Sequence, residues 1–282
     1  MSNPVRTVLI TGCSTGFGEA TARLFASRGW NVVATMRRPE TGSALAALDN
    51  VLVTRLDVQD QSSIERAIAA GIVRFGRIDV VVNNAGFGLF GVFEATSRER
   101  VLEQFEVNVF GLMDVTRAIL PHFRRNRSGV IVNISSGGGV FALPITSLYN
   151  ASKFALEGFS ESLAYELADL GIRVKIVEPG GVLSTDFVRR SSKEAGAADA
   201  LSDYDPFVTG MQAAFEGLRA SRAGATSEQV AEVIFTAATD QTERLRYVAT
   251  DNIKPWVAAR RETSEDEYMA FMRARVMPRP AD

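Results

Sequence analysis

Residues 6–20 read RTVLITGCSTGFGEA: an apolar run, RTVLIT (6–11), then Gly12, Gly16 and Gly18, leading into a helical pattern that begins near Phe17. A strand that ends on glycines and turns directly into a helix is the first unit of an alternating α/β chain. Glycine keeps such a turn tight and lets backbone N–H groups approach a pyrophosphate, helped by the partial positive charge of the helix N-terminus. The spacing T-G-x-x-x-G-x-G differs by one residue from the common G-x-G-x-x-G. It makes Gly12, Ser14, Thr15, Gly16, Phe17 and Gly18 the candidate contacts to a dinucleotide.

The alternation continues outward from this unit. Apolar strand-like runs recur at 31–36, 51–58, 78–84, 129–135, 172–179 and, more weakly, 245–250, with helical periodicity near 17–28, 62–75, 98–120, 148–169 and 226–239. Near-continuous apolar strands alternating with helices imply a parallel sheet covered on both faces. Right-handed crossovers then give a doubly wound, Rossmann-type α/β fold, a seven-stranded, mostly parallel sheet flanked by helices. One domain over 1–282 is expected. Residues 181–225 break the rhythm with Phe187, Tyr204, Phe207, Met211 and Phe215 and read as a substrate-binding insertion. Residues 251–282 form a C-terminal extension with a helical pattern through Tyr268, Met272 and Val276; a helix packed on the flank is expected, and a cover over the site is the alternative.

Bulk properties narrow the function. The net charge is −2, from 31 basic and 33 acidic residues, with no basic stripe for nucleic acid. No apolar run approaches the roughly 20 residues of a membrane span, and the N-terminus lacks a signal-peptide pattern, so a cytoplasmic location is expected. Cys13 is the only cysteine and His122 the only histidine. This removes disulfides, thiolate zinc sites and Ser–His triads, and no metal is expected.

Tyr149 and Lys153 form a Y-x-x-x-K pair, one helical turn apart on one face. The ammonium is expected to lower the tyrosine pKa from its usual value of about 10, which suits acid–base chemistry on a hydroxyl or carbonyl group. At the end of the second strand, where a carboxylate would bind a ribose 2′-OH, stand Arg37 and Arg38 instead. Guanidinium pairs bidentately with phosphate oxygens, so NADP(H) is favoured, with NAD(H) possible. Asp57 ends the third run, placed to accept from an adenine amino group or to cap the next helix.

These stretches, in this order, resemble the short-chain dehydrogenase/reductase family in its compact one-domain form: TGCSTGFG, LDV (56–58), NNAG (83–86), Asn108 within VNVFG, NISS (133–136), YNASK (149–153) and EPGGV (178–182). The resemblance covers about residues 6–190 and is nearest to the retinol- and hydroxysteroid-dehydrogenase branch with its bacterial relatives. It implies that Tyr149 is the general acid/base and that Lys153 both lowers its pKa and holds the nicotinamide ribose. It implies that Ser136, thirteen before the tyrosine, bonds the substrate oxygen, in preference to Ser135. Asn108 resembles the residue that kinks its helix and seats a water linking Lys153 to solvent. The cofactor segments implied are Asp57 and Val58; Asn83, Ala85 and Gly86 beside the adenosine ribose; and Pro179, Gly180, Val182 and Ser184 at the nicotinamide carboxamide.

Two departures stand out. Ser184 occupies the place of the family's usual threonine, with Thr185 beside it, and the Asp-Gly-Gly turn after the last strand is replaced by TDNIKPW and the long tail. The tail argues for a homodimer, or a monomer, over the usual tetramer. Phe87, Leu89, Phe90, Phe141, Leu143, Phe187, Phe207, Met211 and Phe215 are candidate pocket residues, and such a lining favours an apolar carbonyl or alcohol. The expected activity is NADP(H)-dependent interconversion of an apolar ketone or aldehyde with its alcohol. An NAD-linked alcohol dehydrogenase and a silent dinucleotide-sensing regulator are the alternatives, the latter disfavoured because both Tyr149 and Lys153 are present.

Overall fold

The computed structural model describes residues 5–182, 201–211 and 225–277. Seven strands, β1 (Thr7–Ile10), β2 (Asn31–Met36), β3 (Val51–Arg55), β4 (Val80–Asn83), β5 (Gly129–Ile134), β6 (Ile172–Glu178) and β7 (Arg246–Val248), lie in the order β3-β2-β1-β4-β5-β6-β7. Every pairing is parallel. Because successive side chains alternate, the strands feed two separate cores. Val8, Ile10, Val32 and Ala34 pack on one face with Leu45 of the short α2 (Ser43–Ala46), beneath α1 (Gly16–Ser27) and the helix Ser227–Thr239. Leu9, Val33, Val81 and Ile131 pack on the other, where α3 (Gln61–Phe75), α5 (Gly111–Asn126) and α6 (Ser147–Leu167) cover them. The order reverses between β1 and β4, which makes a crevice at their C-terminal ends.

Most sequence boundaries hold to within a few residues, and two differ for physical reasons. The third strand stops at Arg55, so Leu56, Asp57 and Val58 lie in the loop beyond it. There Asp57 Oδ1 accepts from Gln59 N (3.2 Å), and the cap of α3 is Asp60, whose carboxylate accepts from Ser63 N (3.1 Å). The helix expected over 98–120 runs from α4 (Arg98–Phe105) through a widened π-turn at Glu106–Phe110 into α5. Asn108 sits in that turn, and such π insertions gather at functional sites.

The C-terminal extension forms two helices, Lys254–Glu262 and Glu265–Val276, the second closed by a capping box between Ser264 and Glu267. Tyr268, Met272 and Val276 bury against Val140 and Phe141, in the segment between Ser136 and Tyr149. Trp256 stacks on Phe141 with ring centroids 5.4 Å apart and meets Phe271 edge-on. The tail thus packs on the flank, directly behind the loop that carries the serine.

Candidate active site

At the end of β1 the chain turns through Gly12 (φ +74°) and Gly16 (φ +61°), a left-handed conformation that costs an L side chain roughly 1–2 kcal/mol. At Gly18 the reason is space: a Cβ would stand 2.2 Å from the Gly12 carbonyl oxygen. Helix α1 begins with no side-chain cap, since Thr15 makes no such bond. Its first N–H groups, which have no partner within the helix, therefore face the crevice with the positive end of the helix dipole. This cradle of backbone donors fits a pyrophosphate.

The partner that fixes the turn is Asn84. Its Nδ2 donates to the Thr11 (2.8 Å) and Gly12 (3.2 Å) carbonyls, while Thr11 Oγ1 accepts from the N–H groups of Asn84 (3.0 Å) and Ala85 (2.9 Å). Asn83, one residue earlier, turns inward, donating to Asn133 Oδ1 (2.9 Å) and Thr116 Oγ1 (3.1 Å) in the core. Asn83 thus holds β4 to β5, and Asn84 holds β4 to the glycine turn. Arg37 and Arg38 follow β2, both exposed, and no acidic group among the described residues pairs with either.

The chemical groups meet at the C-terminal end of β5. Ser136 lies at the mouth of the crevice, while Ser135 is buried behind it. Ser136 Oγ accepts from Gly138 N (3.0 Å) and hydrogen-bonds the Tyr149 phenol. Helix α6 supplies both Tyr149 and Lys153. Lys153 Nζ donates to the Ile134 carbonyl (2.8 Å) and stands 5.9 Å from the Tyr149 ring centroid.

Burial dominates the protonation of both groups. It pushes the Tyr149 phenol up to about 12, against the opposing bond from Ser136. It pulls the Lys153 ammonium down to about 8, with the Glu157 carboxylate acting the other way. The lowering of Tyr149 expected from Lys153 does not prevail in this arrangement: desolvation by burial dominates the phenol.

Asn108 and Gln104, one helical turn apart, hold the segment after NNAG by its backbone. Asn108 accepts from Phe87 N (3.0 Å) and donates to Phe87 O (2.8 Å) and Ser152 Oγ (3.2 Å). Gln104 donates to Phe87 O (2.8 Å) and accepts from Leu89 N (2.7 Å). Gly86 lies close above Asn108, where a Cβ would come within 3.1 Å of its Oδ1. Buried amides of this kind must find partners, and here they fix the crevice wall next to Tyr149.

At the far side Gly137 N donates to Pro179 O (2.8 Å), and Gly180 N donates to Thr250 Oγ1 (2.9 Å). Asn252 donates to Gly181 O (3.2 Å). Thr250 and Asn252, whose roles the sequence did not single out, stand in the TDNIKPW stretch that replaces the family's Asp-Gly-Gly turn and pin the EPGGV loop. A Cβ on Gly180 would lie 2.3 Å from Asn252 Oδ1. Val182 is buried in the α1-side core, and Val58 is buried against Gly111.

The candidate pocket residues divide. Phe90 meets the Tyr149 ring edge-on at 5.8 Å. Phe207, with Phe93, Ile145 and Tyr204, lines a cavity of about 390 Å³ beside the start of α6. Phe87 and Leu89 are core residues packed with Leu148, and Phe141 and Leu143 belong to the cluster under the tail. Met211 is buried; Ser184, Thr185, Phe187 and Phe215 lie outside the described residues. Ile145 adopts φ +54°, rare for a β-branched side chain, and its carbonyl accepts from Gly91 N (2.8 Å). A second cavity, about 330 Å³, opens at the N-terminal ends of the strands. There Arg77 pairs with Asp79 and Arg173 with Glu243, at the end of a parallel sheet where ligands do not bind.

A doubly wound parallel sheet, a glycine cradle at its switch point and a Ser–Tyr–Lys constellation on the neighbouring strand define a dinucleotide-dependent oxidoreductase. Residues 6–196 match the model of the short chain dehydrogenase family. An uncharacterized oxidoreductase of Schizosaccharomyces pombe is 40% identical over 239 residues, 84% of this chain and 98% of that protein. Human 17-beta-hydroxysteroid dehydrogenase type 1 is 36% identical over 282 residues, 95% of this chain and 85% of that one. The solved structure of a short-chain dehydrogenase from Streptomyces avermitilis superimposes with a TM-score of 0.73 at 31% identity, covering 97% of this chain and 94% of that one. The chain belongs to the short-chain dehydrogenase family and is an NAD(P)-dependent oxidoreductase.

Proposed function

We propose that the protein interconverts an apolar ketone or aldehyde with its alcohol, using NADP(H), with Tyr149 as general acid/base. The observation that carries this reading is the contact of the Ser136 hydroxyl with the Tyr149 phenol, one helical turn from the buried Lys153. A substrate oxygen held by Ser136 then stands within reach of the tyrosine proton. Bound in the crevice, the dinucleotide supplies hydride to the carbonyl carbon or takes it from the carbinol.

In reduction, Ser136 polarises the carbonyl, and Tyr149, a neutral phenol at physiological pH, is poised to donate its proton to the developing alkoxide. Lys153 faces the resulting phenolate from below and stabilises it. Asn108 and Gln104 keep the 87–89 wall fixed while this happens. The residues fit the dinucleotide: α1 for the pyrophosphate, Asp57 and Val58 with Ala85 and Gly86 for the adenosine half, and Pro179 and Gly180 for the carboxamide.

Arg37 and Arg38 support the 2′-phosphate form. Both are exposed after β2, without acidic partners among the described residues. Phe90 against Tyr149 and the Phe93–Phe207 cavity support an apolar substrate, and the resemblance to a hydroxysteroid dehydrogenase points the same way. The same reading takes a second copy of the chain as partner. Leu102, Phe110, Phe154 and Tyr165 are exposed on the outer helices, and light scattering at a monomer mass would remove that part. The lone cysteine, buried, fits a cytoplasmic location; none of the described helices is long and apolar enough to cross a membrane. NADPH consumption on a panel of apolar ketones and aldehydes tests the whole reading; turnover with NADH alone would favour the NAD-linked alternative.

A further inference from the structure

The turn Pro179–Gly180–Gly181 leaves β6 with two glycines, which have no side chains to hold their own place. Residues that follow β7 hold it for them. The Gly180 N–H donates to Thr250 Oγ1 (2.9 Å), and the Thr250 hydroxyl donates onward to Asn252 Oδ1 (2.6 Å). Asn252 Nδ2 then closes the ring on the Gly181 carbonyl (3.2 Å). The approach leaves no room for a side chain: a Cβ on Gly180 would stand 2.3 Å from Asn252 Oδ1, 2.5 Å from Thr250 Oγ1 and 2.7 Å from Ile253 Cγ2. One residue before the turn, Glu178 is fully buried, and Arg261 of the following helix grips both its oxygens (3.2 and 2.5 Å).

The same stretch also backs the loop that carries the serine. A Cβ on Gly137, the residue after Ser136, would lie 3.3 Å from Ile253 Cδ1. Gly137 N donates to Pro179 O (2.8 Å), so the two loops and the Ile253 side chain form one packed unit. Trp256, three residues further on, stacks on Phe141 at 5.4 Å and supports the serine loop from its other end. Ser136 and the Pro179–Gly180 turn therefore share one support. Hydride transfer depends steeply on the separation that such a support fixes, since a misplacement of about 1 Å can cost about 10²-fold in rate.

We propose that Thr250 and Asn252, backed by Ile253, are positioning residues that set the nicotinamide ring against the substrate carbon held at Ser136. They act through the backbone of Gly180 and Gly181 and touch none of the reacting atoms. The inference rests on the reading of Pro179 and Gly180 as the seat of the carboxamide. It has a consequence that a purely structural role lacks. The glycine turn and Arg37 with Arg38, which serve the rest of the dinucleotide, follow other strands, β1 and β2. Loosening the clasp thus weakens binding of the nicotinamide end and spares the other.

The experiment compares each dinucleotide with its counterpart lacking the nicotinamide: NADPH with 2′-phospho-ADP-ribose, and NADH with ADP-ribose. Calorimetric titration is run on whichever pair the parent binds. Thr250→Val keeps the shape but removes the acceptor for Gly180 N, and Asn252→Asp keeps the shape but removes the donor to Gly181 O. In each, affinity for the dinucleotide falls by about tenfold while that for the counterpart changes by less than about twofold, and kcat on a ketone falls with it. Thr250→Ser, which retains the hydroxyl, restores the parent's values. The two breaks are independent, so one folded variant suffices. Equal losses for both ligands, or no loss for either, in a folded variant overturn the proposal, even where the parent reduces ketones. The selective loss in a protein that turns over no carbonyl upholds the clasp and overturns the proposed function instead.

Discussion

Asn84 Nδ2 bridges the carbonyls of Thr11 and Gly12, at 2.8 and 3.2 Å, and so ties the end of β4 to the glycine turn that follows β1. One amide thereby fixes the cradle. Asn84→Ala leaves both carbonyls without this donor and loses about 1–3 kcal/mol of stability. The dinucleotide affinity falls as well, because the loop is no longer held for it. Urea unfolding and a thermal shift with NADPH check the two effects. A variant of unchanged stability would show that the clasp does not matter.

Gly18→Ala tests the cradle more severely. In an ordinary helix the change is favourable by up to about 1 kcal/mol. Here the new Cβ would stand 2.2 Å from the Gly12 oxygen, and backbone must move. The expected outcome is lost stability with dinucleotide binding weakened at least about tenfold, a change of roughly 1.4 kcal/mol, measured by fluorescence titration. Unchanged binding would contradict the close packing of turn and helix.

Replacing both Arg37 and Arg38 by alanine separates the two cofactors. Charge-assisted bonds to phosphate are worth about 1.5–3 kcal/mol each, so NADPH affinity falls by about tenfold or more while NADH affinity barely changes. Equal losses for both would mean that the arginines do not read the 2′-phosphate.

Much of this site was legible because short motifs carry strong local demands. The glycines at 12, 16 and 18 and the Tyr149–Lys153 spacing follow from turn chemistry and helical period, whereas the choice of Ser136 over Ser135 comes from the resemblance to the family. What was illegible depends on contacts distant in sequence. Nothing local distinguishes Asn83, which faces the core, from Asn84, which clasps the turn; the strand's exit decides it. Thr250 and Asn252 matter because β7 ends beside β6, and Arg261 meets Glu178 across 83 positions. The reach of β3 was overread because LDV is as apolar as the strand before it, yet Asp57 already bonds its own loop. The downward pull of Lys153 on Tyr149 was expected from spacing, and burial, which spacing does not report, prevails.

Lys153 makes a prediction about stability as well. Its folded pKa of about 8 lies below the unfolded value near 10.5, so the unfolded state binds the proton more tightly. The native state bears that penalty in full below about pH 8, on the order of 3 kcal/mol, and is relieved of it as pH rises from 8 to 10.5. Lys153→Met, which keeps the volume without the charge, is therefore more stable than the parent at pH 7 although inactive. The gap narrows toward pH 10. Denaturation at pH 7 and pH 10 checks it, and a variant less stable at both would contradict the sign.

The central claim is that Tyr149 transfers the proton, and Tyr149→Phe tests it most directly, because the ring and its contact with Phe90 are kept while the hydroxyl is lost. NADPH binding and reduction of an apolar ketone are measured on the same preparation. The account predicts that NADPH still binds and that kcat falls by about 10²–10⁴-fold, the usual contribution of a positioned proton donor. A variant that binds NADPH and reduces the ketone at the parent's rate would contradict it.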